Sequence, residues 1–159
     1  MQFSRPVAGK GETRAGTAQS ARPDLARQGV TADELGDLIE RGEQARVRDA
    51  LHADPTLVNA RTRGGETPLH VACRTKMALI VAALIARGAG VDARDANGRT
   101  PLHAAVNGGG GLVMTLVDGL LSFGADPSLV DGAGQTVADL AATEPSIDLG
   151  ALLARLQRP

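Results

Sequence analysis

From Thr31 onward, apolar residues recur at the three- and four-residue spacing of amphipathic helices, and short polar stretches bearing glycine separate them. Thr31-Ala32-Asp33-Glu34 fits a capping box, with Thr31 at the cap and Glu34 reaching back three residues. Leu35, Leu38 and Ile39 follow on one face, and Gly42 supplies a left-handed stop. Val47, Ala50 and Leu51 give a second helix its stripe, and Asp54-Pro55 ends it. Near the C-terminus, Leu149, Leu152, Leu153 and Leu156 make an inner stripe. Arg155, Gln157 and Arg158 lie on its outer side, and Ser146 or Asp148 stands at the cap. Residues 1–30 carry no period at all. Gly, Ala, Ser, Thr and Arg dominate there, and a disordered tail is expected.

Internal repetition then decides the architecture. Thr67-Pro68-Leu69-His70-Val71-Ala72 recurs as Thr100-Pro101-Leu102-His103-Ala104-Ala105, offset by 33 residues. A degenerate third copy, Thr136-Val137-Ala138-Asp139-Leu140-Ala141, lies 36 residues further on. Gly65, Gly98 and Gly134 each stand two residues before the threonine, and Gly88 and Gly124 stand downstream. This pattern resembles the ankyrin repeat, whose period and Thr-Pro-Leu-His motif it shares. The resemblance covers residues 31–157, in units of about 31–60, 61–93, 94–129 and 130–157.

The resemblance implies an all-α solenoid of about four helix-turn-helix units with short hairpin-like fingers, in which stacking supplies the core. Thr67 and Thr100 are placed to cap the first helix of a unit, and Pro68 and Pro101 sit where no amide donor is needed. In the family the motif histidine bonds the backbone of a neighbouring repeat, so His70 and His103 are expected to be structural. Two departures stand out. Lys76-Met77 replaces the Gly-His that usually follows, and Gly108 to Gly111 forms a loop expected to bulge between the helices of the third unit.

Composition sharpens the picture. With two Phe and no Tyr or Trp, the core must be built from Leu, Val, Ile and Ala. One cysteine, Cys73, excludes an internal disulfide and points to a reducing, cytoplasmic compartment. Arginine far outnumbers lysine, which suggests a GC-rich, bacterial coding genome. The sequence has no apolar run of membrane-spanning length and no Sec-type signal core. Residues 1–30 are net basic through Arg5, Lys10, Arg14, Arg22 and Arg27, and the remainder is net acidic.

No catalytic set stands out, and no enzyme, cofactor or metal site is expected. No Lys-Ser or Lys-Thr follows the glycine run, so it does not read as a phosphate loop. Cys73 lies three residues from His70 but at a buried small-residue position, which fits an inert packed thiol. His52, His70 and His103 fall in different repeats without ligand spacing. Asp92 and Asp95 read as solvated residues flanking a finger.

What remains is surface. The family docks partners on its concave side, made of finger tips and first-helix positions. Carried onto this chain these are Arg61, Arg63, Glu66 and Arg74, then Arg94, Asn97, Arg99 and Asn107, then Val130, Asp131, Gln135 and Glu144. The arginines would complement an acidic patch on a partner protein. A nucleic-acid partner is not expected, because stacking aromatics are absent and the body is acidic. The chain is expected to be a monomeric protein-binding adaptor or inhibitor. A secreted bacterial effector with an unstructured export tail and an immunity- or antitoxin-type inhibitor are the alternatives. A second surface is the outer helix of the second unit. Its outward positions fall on Leu79, Ala82 and Ala86, with no charge between Lys76 and Arg87.

Overall fold

The structure, a computed structural model, describes residues 29–157 apart from Gly108. The expected tail therefore lies almost wholly outside the described residues. Among the described residues eight α-helices follow one another: α1 (Ala32–Glu40), α2 (Gln44–Ala53), α3 (Pro68–Arg74), α4 (Ala78–Ile85), α5 (Pro101–Val106), α6 (Val113–Ser122), α7 (Val137–Ala142) and α8 (Leu149–Leu156). A 3-10 turn, Pro55–Asn59, follows α2, and no strand occurs among the described residues. Successive odd-numbered helices pack together as an inner row, and successive even-numbered helices as an outer row. This is the all-α ankyrin solenoid that the repeated motif predicts.

Local chemistry sets the helix starts. Thr31 accepts from the Glu34 amide at 3.2 Å, and Glu34 accepts from the Thr31 amide at 2.8 Å, which closes the expected capping box. Pro68 and Pro101 open α3 and α5. Of the two cap candidates for α8, Asp148 accepts the Ala151 amide at 3.0 Å. The core is aliphatic throughout. Leu35, Ile39, Leu69, Leu84, Leu102, Leu120 and Leu152 are fully buried, each worth about 1.5–3 kcal/mol. Ala72 and Ala105, equally buried, keep the inner helices close. Phe123, by contrast, is exposed.

At the C-terminal end, Leu152 packs in the core while Leu153 and Leu156 are half-buried. Arg155 is not simply outward: its Nε lies 2.7 Å from Asp118 Oδ1 and ties α8 to α6. Behind the fingers, Asn59 accepts the Gly90 amide at 2.9 Å and Asp92 accepts the Asp126 amide at 3.0 Å. Asp92 is thus a tie between units.

Lys76 is the one non-glycine residue with positive φ among those described, at 59°, where Gly42 and Gly109 stand after α1 and α5. Its ammonium donates to Asn107 O at 3.1 Å and to Ala105 O, the open end of α5 in the next unit. Left-handed backbone costs an L-residue about 1–2 kcal/mol, and these bonds offset it.

The finger glycines give a test. Gly98 and Gly134 both have left-handed φ, 72° and 77°. A Cβ on Gly98 would sit 2.8 Å from the Gly132 amide nitrogen, whereas one on Gly134 meets nothing within 4 Å. Gly134→Ala should cost only the backbone strain, about 1–2 kcal/mol. Gly98→Ala should cost clearly more, because the next finger must move. Urea unfolding followed by circular dichroism measures both, and equal losses would contradict the close approach of the two fingers.

Candidate protein-binding surface

Each finger closes on itself. The Thr62, Asp95 and Asp131 amides donate to Glu66 O, Arg99 O and Gln135 O, all at 2.9 Å. In the later two fingers a carboxylate finishes the turn. Asp95 Oδ1 accepts the Asn97 amide at 2.8 Å and the Arg99 amide at 2.9 Å. Asp131 Oδ1 accepts the Ala133 amide at 2.9 Å and the Gln135 amide at 3.0 Å. Those amide bonds, the Gln135 bond foremost, hold the Asp131 carboxyl below the usual carboxylate range. Asp95 is therefore a turn-forming group, not a freely solvated one.

Side chains then fasten each finger to the next. Arg61 Nη1 donates to Gly65 O at 2.9 Å in its own finger and to Arg94 O in the following one. Arg94 repeats the arrangement, with Gly98 O at 3.2 Å and Val130 O at 2.8 Å. The Gly132 amide adds a backbone bond to Asn97 O at 2.8 Å. The motif histidines work from beneath. His70 Nδ1 lies 2.8 Å from Thr67 Oγ1 and accepts the Thr67 amide at 3.2 Å. The proton must then be on Nε2, which donates to Arg99 O at 2.9 Å. His103 pairs likewise with Thr100 and with Gln135 O at 3.1 Å. Both rings are fully buried, and burial pushes both imidazoles below the usual 6.5.

In the fourth unit both forward-reaching side chains are replaced. Val130 stands where Arg61 and Arg94 stand, and Asp139 where the histidines stand. Asp139 instead closes a box with Thr136, accepting its amide at 2.9 Å.

The predicted surface residues divide accordingly. Arg61 and Arg94, expected as partner contacts, are occupied by backbone carbonyls. Carbonyl oxygens in the next finger carry no sequence signature, so this role was missed, although the matched register of Arg61, Arg94 and Val130 marks it. Arg63 projects from its finger almost fully exposed, with Nε 3.3 Å from Asp33 Oδ2. Arg74 pairs with Glu40 at 2.7 Å and Glu66 at 3.3 Å, and these two carboxylates, Glu40 first, push the guanidinium pKa up. Arg99 lies 3.9 Å from the buried Asp131. Asn97, Asn107, Val130 and Gln135 are exposed, and Glu66 and Glu144 half-buried. The arginine row is therefore interleaved with carboxylates.

Other chemistry finds little to build on. Cys73 is fully buried, and burial pushes its thiol up to about 12, far from a nucleophile's range. His70 Nδ1 faces Thr67 and not the thiol. Among the described residues no cluster of three metal-ligating side chains occurs, and no helix is long and apolar enough to cross a membrane.

The pattern of ankyrin repeats, three copies, matches residues 38–131, more than half of the sequence. The chain belongs to the ankyrin-repeat family. It is also similar to the human BCL-6 corepressor-like protein 1, with 31% identity over 145 residues. That match takes in 89% of this chain but only 8% of the human protein, so the chain spans a small part of its relative. Ankyrin repeats are protein–protein interaction modules built on a non-enzymatic scaffold.

Two outcomes follow. Below pH 6.5 the unfolded chain binds more protons than the folded one at His70 and His103, so stability should fall as pH falls. It should be full above that pH and drop by up to about 1.4 kcal/mol per pH unit per histidine below it. Urea midpoints between pH 7.5 and 5.0 measure this, and a flat profile would contradict the neutral, buried rings. Separately, Arg94→Ala should lower stability by about 0.5–1 kcal/mol, the size of a partly exposed hydrogen bond. Arg63→Ala should change it by less than that, and the reverse order would contradict the stapling role.

Proposed function

We propose that this chain is an adaptor or inhibitor module that binds a partner protein across its fingers and inner helices, the side that the family uses as its concave face. The observation that carries this reading is the locking of successive fingers by Arg61, Arg94, His70 and His103. A surface held in place before binding loses little conformational freedom on docking, and that favours affinity. Residues 61, 63, 66, 74, 94, 97, 99, 107 and 135 form the proposed contact set, divided by task. Arg61 and Arg94 hold the frame and lend it charge. Arg63, Asn97, Asn107 and Gln135 offer exposed groups.

The partner best matched is a protein with carboxylates spaced to meet Arg63 and Arg99. Arg63 Nε lies 3.3 Å from Asp33 Oδ2 and Arg99 Nε 3.9 Å from Asp131 Oδ2, and a partner carboxylate would meet the outer nitrogens of each fork. Such contacts set orientation and encounter rate more than raw affinity. The role needs no cofactor and no catalytic step.

The double charge reversal Arg63→Glu/Arg99→Glu should weaken an isolated partner by about tenfold or more while leaving the circular dichroism spectrum unchanged. Thr115→Glu, exposed on α6 in the outer row, should have little effect. Titration calorimetry on the three proteins decides. Loss of binding in Thr115→Glu with binding kept in the double reversal would move the site to the other face.

A further inference from the structure

The outer row carries a second surface that the finger-side reading does not use. Helix α4 reads Ala78–Ile85 without a single polar residue, and the described residues cover it on one side only. Ile80, Val81 and Leu84 face the core, while Leu79 is 70% exposed and Ala82 is exposed beside it. Leu79 is the most exposed large apolar side chain among the described residues. It is not isolated. Between α2 and α4 runs a groove of about 400 Å³ whose wall includes Ala45, Arg48, Leu51, Leu79, Ala83 and Arg87. A smaller recess of about 250 Å³, by His52 and Pro55, shares Leu51 and Arg87 with it.

The charges on this groove have one sign. Arg48 and Arg87 are the only charged residues lining it among the described residues. Arg87 donates to Ala83 O at 3.1 Å, and no carboxylate of the described residues lies within 4.0 Å of it. Among the described residues Arg48 pairs only with its sequence neighbour Asp49, at 3.5 Å, with both side chains mostly exposed. On the finger side, by contrast, Arg63, Arg74 and Arg99 each have a carboxylate from another part of the fold.

We propose that the α2/α4 groove is a second docking site, and that its occupant is a segment of a partner protein carrying a branched aliphatic or aromatic side chain next to an Asp or Glu. The apolar side chain would fill the space between Leu79, Ala83 and Ala45, and the carboxylate would meet Arg87. Charge selects this occupant over two others. A second copy of the chain, packed groove to groove about a two-fold axis, sets arginine against arginine. Residues 1–30 are net basic and meet the same repulsion. The size suits one or two side chains of a short segment, in the manner of a peptide anchored by a few apolar residues in a groove. The site stands apart from the finger surface, so both can be filled together.

A displayed library of random 12-residue peptides, selected on the full chain and counter-selected on Leu79→Lys, tests this. Leu79 and Arg87 are exposed, so both variants should keep the circular dichroism spectrum and urea midpoint of the parent. The expected result is a set of acidic peptides, each with Asp or Glu beside Leu, Ile, Val or Phe. Resynthesised, they should bind the full chain saturably, lose binding to Leu79→Lys and weaken by about tenfold or more on Arg87→Glu. Arg63→Glu should leave them unaffected. The proposal is overturned if no peptide separates parent from Leu79→Lys, if the selected peptides are basic, or if Arg87→Glu changes nothing. It is equally overturned if sedimentation shows a dimer that Leu79→Lys dissolves. Faster hydrogen exchange of residues 1–28 in Leu79→Lys than in the parent would also overturn it, since the groove would then belong to the chain's own tail.

Discussion

No unit of this chain can bury its own apolar face, and each therefore depends on a neighbour. What turns that dependence into a defined surface is a bond that reaches forward. The imidazole of one unit donates to a carbonyl in the next unit's finger, at Arg99 O and again at Gln135 O. A buried imidazole left without a partner is costly, so the position of the next finger is fixed wherever the ring is satisfied. The arginines at the tips make the same connection from outside, through Arg94 O and Val130 O. The core holds the helices together, and these bonds set where the fingers point.

The fourth unit shows the same rule by exception. Its Val130 and Asp139 stand in the register of an arginine and a histidine, and neither reaches forward. Asp139 keeps the local half of the histidine's work by capping α7 through Thr136, and drops the half that needs another finger. Lys76 is a different solution to a similar problem. It accepts left-handed backbone where glycine is easier, and spends its ammonium on the carbonyl end of α5.

Much of this was legible in the sequence because it is local and periodic. Thr31-Glu34 and the Thr-Pro pairs act within three or four residues of themselves, and their spacing, with that of the finger glycines, points to both the helices and the family. The tasks of Arg61 and Arg94 were not legible, because their acceptors are backbone carbonyls 33 and 36 residues away. Side-chain type showed charge, and the family's concave-side positions suggested a partner for it. Pairing of Arg74 with Glu40 was hidden for the same reason, the two lying 34 residues apart. The outward apolar positions of α4 were visible in the pattern, whereas the contribution of Ala45, Arg48 and Leu51 to the groove beside it required the packing of α2 on α4. Ankyrin repeats are generally protein–protein interaction modules, and the geometry here ties each finger to the next.

The central claim is that the fingers are fixed before any partner arrives. Native-state hydrogen exchange on the free protein measures this at the amides of Thr62, Asp95 and Asp131, which close the three fingers. All three should be protected, protection at Asp95 should fall in His70→Gln, and protection at Asp131 should fall in His103→Gln. Exchange of these amides at the rate of an unstructured chain in the parent protein would contradict it, and the finger surface would then have to form on binding.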